Sequence, residues 1–142
     1  MKKHLLMIAL ATIVIGGCYA QDVKTSEVPE VVKSALMKKF PEATKVSWEK
    51  ENGNYEANWG GKSGEDNSAQ FTPAGVFVEI GKAIPVDELP AAVKTYVKGH
   101  QNGAKITEAS RVTDAKGKIT YEAEVKGKDL VFDESGNYIK TE

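Results

Sequence analysis

Two stretches of the chain carry apolar residues at helical spacing. Val28, Val31, Val32, Ala35 and Leu36 fall on one stripe, and Leu89, Ala92, Val93, Tyr96 and Val97 fall on another. The spacing predicts helices over about 27–39 and about 87–99. Pro29 and Pro90 are expected in their first turns, where the missing N–H costs no intrahelical bond, with Ser26 and Asp87 as side chains able to cap the starts. Elsewhere the period drops to two. Ile119, Tyr121, Ala123 and Val125 alternate with Thr120, Glu122, Glu124 and Lys126, and Tyr55, Ala57 and Trp59 alternate with Glu56 and Asn58. That is the pattern of strands with one face packed and the other in water.

The two helical stripes are separated by sixty-one positions, and the same offset aligns Phe71–Val78 with Phe132–Ile139. The chain therefore reads as an internal duplication, 23–82 and 83–142. Each copy is a helix followed by four short strands: near 44–50, 54–60, 67–72 and 76–80, then near 104–113, 118–126, 128–133 and 137–141. Asn52-Gly53, Pro73-Ala74-Gly75, Lys126-Gly127 and Ser135-Gly136-Asn137 are among the turns between them. Such short connections join only antiparallel neighbours. The expected fold class is α+β: two tandem helix plus four-stranded antiparallel sheet repeats, with the helices packed on one face of the sheet.

The chain opens with Lys2 and Lys3, an apolar run from Leu5 to Ile15, and the small residues Gly16, Gly17, Cys18 and Ala20. That order is a secretory signal over 1–20, with an apolar run too short to span a membrane. Two processing routes stay open. Cleavage after Ala20 would release the chain into the periplasm or cell envelope. Alternatively, Ile15-Gly16-Gly17-Cys18 would act as a lipoprotein box, with lipidation at Cys18 tethering the chain to a membrane face. Cys18 is the only cysteine, so no intrachain disulfide can form. Without the first 20 residues Lys+Arg falls from 19 to 17 while Asp+Glu stays at 20, a net charge of −3. No basic field for nucleic acid results.

Val28-Pro29, Phe40-Pro41-Glu42-Ala43, Tyr55-Glu56-Ala57 and Phe132-Asp133-Glu134-Ser135-Gly136-Asn137-Tyr138 resemble the pattern of PepSY-like proteins, which are exported and similar to β-lactamase-inhibitory protein. The resemblance covers nearly all of 23–142, once per copy. It implies an extracytoplasmic module without enzymatic activity, related to inhibitors that bind enzymes through a sheet face or loops, and it carries over no catalytic residue. Copy one has Thr72 where copy two has Asp133, which puts a shared role for that carboxylate in doubt.

The residues offer little catalytic chemistry. His100 is the only histidine after residue 20 and reads as a loop residue following a helix. Asp133-Glu134-Ser135-Gly136-Asn137 has the look of a Ca²⁺ loop but lacks the closing Glu, so a hairpin turn with Gly136 at positive φ is expected. Gly60-Gly61-Lys62-Ser63-Gly64 lacks the first glycine of a phosphate loop and reads as a flexible tip. Ser63, Ser68, Ser110 and Ser135 sit in no nucleophile setting, and Glu122 and Glu124 read as a solvated strand face. No cofactor or metal site is expected.

The expected function is a binding or inhibitory module of the cell envelope, contacting a protein or peptide through the exposed sheet face and the 60–67 loop. The alternative is a carrier holding a lipid or other apolar molecule between helices and sheet. The candidate contact residues are Glu56, Asn58, Phe77, Glu122, Glu124 and Tyr138. Phe77 and Tyr138 join this face if Val76, Val78 and Ile139 turn toward the helices; with the parity reversed, both aromatics are core. Trp48 is open in the same way.

Overall fold

The computed structural model describes residues 20–142, so the proposed signal and Cys18 lie outside the described residues. The chain forms one nine-stranded sheet in which every strand pairs antiparallel with its sequence neighbour. In order these are β1 Gln21–Val23, β2 Ser47–Glu51, β3 Asn54–Trp59, β4 Asn67–Phe71, β5 Phe77–Ala83, β6 Ile106–Asp114, β7 Ile119–Val125, β8 Lys128–Asp133 and β9 Tyr138–Thr141. Helix α1, Glu30–Lys39, connects β1 to β2, and helix α2, Ala91–His100, connects β5 to β6.

This corrects the expected fold class. Two ten-residue helices accompany nine strands, so the chain is mostly β, and it is not two helix plus four-stranded repeats. The reason lies in β5. It pairs with β4 along one edge and with β6 along the other, from Glu79 opposite Asp114 to Ala83 opposite Ser110. A four-stranded unit ending at β5 would leave that ladder of N–H and C=O groups bare; pairing it with β6 makes the sheet continuous. The three-residue β1 adds the ninth strand.

The helices begin later than their apolar stripes. Thr25–Glu27 and Val86–Glu88 each form a single 3-10 turn. Val28 and Leu89, each preceding a proline, are extended at ψ 129° and 144°, as the proline ring requires of its predecessor. The α-helices start only after Pro29 and Pro90, which occupy the N-cap positions with no side-chain cap. Ser26 and Asp87 are thus not the helix caps expected of them.

The turns follow their local chemistry. Asn52-Gly53 (φ 50° and 80°) and Lys126-Gly127 (φ 56° and 73°) place two consecutive residues at positive φ between β2 and β3 and between β7 and β8. That matches the twist of a two-residue hairpin.

Directly opposed residues share a face. The row Val23–Trp48–Ala57–Ala69–Ile80–Thr113 therefore lies on one side of the sheet, together with Ala109, Ala123 and Leu130. Both helices cover that side. Val28, Val32 and Leu36 pack with Trp48, Trp59 and Phe71, and Leu89, Val93 and Val97 pack with Val125, Leu130 and Phe132. Phe71 and Phe132 are fully buried. No described helix is long and apolar enough to cross a membrane.

Candidate functional site: an acidic basin on the uncovered sheet face

The opposite side of the sheet has no helix over it and forms an open basin of about 730 Å³. Strand alternation decides what it displays. The row Asp22–Glu49–Glu56–Gln70–Glu79 crosses β1 to β5, and Glu108–Glu124–Asp129 crosses β6 to β8. The same alternation sends the cations of the central strands away: Lys82 and Arg111 oppose each other on the helix side. Eleven of the chain's twenty carboxylate side chains line the basin, and none of the lining residues is Lys, Arg or His.

Like charges therefore face each other at Asp22–Glu49, Glu49–Glu56, Glu108–Glu124 and Glu124–Asp129. Cross-strand pairs of like charge destabilise a sheet. Neutral side chains provide partial relief. Gln70 Nε2 donates to Glu56 at 3.1 Å, Ser110 Oγ to Glu122 at 2.8 Å, Thr107 Oγ1 to Glu124 at 2.6 Å, and Asn58 Nδ2 to Glu49 at 3.4 Å. Among the described residues only Glu142 of the basin has an ion-pair partner, Lys140.

Where a carboxyl of the basin shifts, it shifts upward. Burial raises the carboxyls of Glu49, Glu51, Glu79 and Asp129 above their ordinary range, with neighbouring carboxylates adding to the effect. Burial pushes Glu122 furthest, to about 7, against the lowering effect of its bond from Ser110. A raised carboxyl in a cleft is also how a general acid is prepared. In the acid–base pairs that use that device, the environment sets the two groups' values apart. Here the shifts run upward together from β2 to β8, which is a shared acidic field and not a tuned pair.

The second feature is a row of small residues through the middle. Asn58, Ser68, Gly81 and Val112 oppose one another across β3 to β6. They form a shallow floor between the Glu56–Gln70–Glu79 row and the Ser110–Glu122 pair. Asn58 is 7% exposed. Its side-chain nitrogen makes the long contact to Glu49, and among the described residues no buried side-chain nitrogen or oxygen lacks a partner.

Of the candidate contact residues, Glu56, Asn58, Glu122 and Glu124 line this basin, and so do Ser63, Glu65 and Asp66 of the 60–67 loop. The reading of Glu122 as solvated is corrected, since burial dominates its carboxyl. Phe77 and Tyr138 turn the other way. Phe77 meets Phe71 and Phe40 at 5.8 and 5.9 Å, and Tyr138 stacks on Tyr96 at 4.8 Å. A register shift precedes each of them, between Gln70 and Phe71 and between Val131 and Phe132, and places each opposite a core phenylalanine. Trp48 is buried on the helix side at 4% exposure.

His100 is the last residue of α2 and not a loop residue; it stacks on Tyr96 at 4.0 Å. The sheet therefore separates it from Ser68 and Ser110, which line the basin. The layer between helices and sheet, where an apolar ligand would sit, is filled by Leu36, Phe71, Leu130 and Phe132.

The sequence matches the model of a family described as "Putative beta-lactamase-inhibitor-like, PepSY-like" twice, over residues 15–64 and 60–140. The chain belongs to the PepSY-like family. It matches none of the curated proteins. Solved structures similar to this PepSY-like chain include one from Bacteroides eggerthii described as "putative periplasmic" (TM-score 0.67, 21% identity, covering 81% of this chain and 88% of that one). A chain from Bacteroides uniformis aligns with TM-score 0.62 at 22% identity, over 80% of this chain and 88% of that one. A chain from Bacteroides fragilis described as similar to β-lactamase-inhibitory protein aligns with TM-score 0.54 at 21% identity, over 80% and 84%. At these identities the likeness is one of fold.

The basin is the feature that composition concealed. A near-neutral PepSY-like chain lines this face with eleven of its twenty carboxylates and turns the central-strand cations Lys82 and Arg111 to the other. Only strand parity shows this, and Glu122-x-Glu124 and Glu49-x-Glu51 were the visible traces.

Proposed function

We propose that this chain is an exported, non-catalytic binding protein of the cell envelope, and that it holds a protein or peptide against the uncovered face of its sheet. The observation that carries the reading is the open basin of about 730 Å³ on the side opposite both helices. A sheet with one face packed is complete as a fold; its other face is free to be shaped by contact. The inhibitor-like description of the family and the periplasmic description of the Bacteroides eggerthii structure support an extracytoplasmic binding role. An inhibitory effect on an envelope enzyme is the form of binding the family description favours. Glu56, Asn58, Glu122 and Glu124 are the contact residues in this reading, while Phe77 and Tyr138 support the helix side.

The test is site-directed photo-crosslinking in an envelope extract. A photoreactive residue replaces Ser68 on the basin in one variant and Lys94 on α2 in another. Capture concentrated at position 68 is the expected result. Capture only at position 94 would assign binding to the helices and overturn the reading.

A further inference from the structure

The chemistry of the basin narrows its occupant. We infer that the floor between the carboxylate rows takes a basic segment of a partner protein, with lysine or arginine side chains set between Glu56, Glu79 and Glu122. The inference rests on the basin being the binding face.

Two observations carry it. First, four pairs of like charges oppose one another directly across the strands, and among the described residues the basin's one ion pair is peripheral, at Glu142. A fold that only needed a solvated face would interleave cations. A bound cationic segment removes the repulsion, so binding gains what folding gave up. Second, the floor is low where the field converges. Gly81 has no side chain, and Ser68 and Val112 flank it. Residues two apart along a strand are separated by roughly 7 Å, so the Glu79 row stands beside the floor within reach of a long basic side chain lying on it.

The same geometry makes binding depend on pH. Glu122 is faced by Ser110 from β6, Asp129 from β8, Lys140 and Glu142 from β9, and Glu79 from β5, with Glu124 on its own strand. Lys140 is engaged by Glu142. Glu122 therefore gains its charge only near neutrality, and a cation bound beside it favours the charged form. Affinity for a basic segment rises as pH rises through about 7.

The experiment uses labelled peptides of equal length that alternate serine with lysine, glutamine or glutamate, titrated with the whole chain at low salt. The lysine peptide is expected to bind and the other two are not. Glu79→Gln with Glu122→Gln should weaken it by about tenfold. Glu122→Gln alone should flatten the rise in affinity between about pH 6 and about pH 8. Gly81→Leu provides a charge-independent control. A Cβ there meets Ser68 and Val112 only at ordinary contact distances of 3.7–3.8 Å, so the side chain fills the floor and should abolish binding.

Equal binding of the glutamine peptide, or lysine-peptide binding that the double variant leaves unchanged, would overturn the inference. Salt-reversible self-association that the glutamine variants dissolve would assign the floor to a second copy of the chain and also overturn it. The two readings fail separately. If position 68 captures a partner and the glutamine variants capture it equally well, the basin reading stands and the basic-segment inference falls. If capture occurs only at position 94, the basin reading itself falls.

Discussion

Ser110 and Glu122 oppose each other across β6 and β7, and the serine hydroxyl donates to the carboxylate at 2.8 Å on the uncovered face of the sheet. That one neutral donor does not offset burial, which holds the Glu122 carboxyl at about 7 against an ordinary value of 4.5. The folded state therefore binds a proton that the unfolded state has released. Stability from this group is fully present below the unfolded value and is lost as pH rises through about 7. The shift corresponds to about 3 kcal/mol between those limits. Glu122→Gln keeps the shape and removes the ionisation. It is expected to raise the unfolding free energy at about pH 8 by about 1–3 kcal/mol and to change it little at about pH 4. Urea unfolding at the two pH values measures the difference, and an equal effect at both would contradict it.

Two glycines with nearly the same backbone angle should respond differently to alanine. Gly117 has φ +84° with nothing within 4 Å of an added Cβ, so Gly117→Ala costs only the positive φ, about 1 kcal/mol. Gly136 has φ +86°, and its Cβ would lie 2.9 Å from the Cβ of Ala92 and 3.3 Å from that of Pro90. The β8–β9 turn would have to lift from the start of α2. Gly136→Ala should cost about 2–3 kcal/mol. Chemical denaturation of both variants separates strain alone from strain with collision.

The helices and most strands were legible because period 3.6 and period 2 were both clear between Gly and Pro signals. What remained illegible has physical causes. β1 is three residues long and holds no periodic signal, so only its pairing with β2 reveals it. The late helix starts follow from the conformations that Pro29 and Pro90 impose on Val28 and Leu89, which the apolar stripes run straight through. The parity of Phe77 and Tyr138 was undecidable because a register shift intervenes in each hairpin. Continuity of the sheet between Glu79 and Ala83 is a long-range pairing to β6 that no local pattern encodes. The candidate site was half visible: Glu56, Asn58, Glu122 and Glu124 were named, but Gly81, Glu79 and the buildup of unpaired carboxylates needed the register.

Phe132 and Tyr138 meet edge to face at 6.0 Å, yet they should contribute very unequally. Phe132 is fully buried beneath α2, so Phe132→Ala opens a cavity and should cost about 3–5 kcal/mol. Tyr138 is 40% exposed on the edge strand and covers Tyr96 by stacking. Tyr138→Ala should cost about 1 kcal/mol. Neither change reaches the basin, so binding to the uncovered face should persist in Tyr138→Ala. A loss of binding in that variant, with the fold intact by circular dichroism, would place the contact surface on the helix side.

Asp133 closes the β8–β9 turn by accepting the backbone N–H groups of Ser135 (3.0 Å) and Asn137 (2.9 Å) and the side-chain amide of Asn137 (3.0 Å). Thr72, its counterpart at the β4–β5 turn, accepts one, from Val76 at 3.2 Å. Both therefore tie a turn, and only the carboxylate makes that tie depend on ionisation. Bonds from Asn137 hold the Asp133 carboxyl below its ordinary value of 3.8. Its contribution is present above the unfolded value and is lost as pH falls through the lower, folded one. Asp133→Asn should lower the melting temperature at neutral pH, and the gap to the parent chain should narrow as acid protonates the parent carboxyl. Asp133→Thr should fall between the two at neutral pH and show the flatter acid profile of Asn. A gap that persists in acid would mean that geometry and not charge ties the turn.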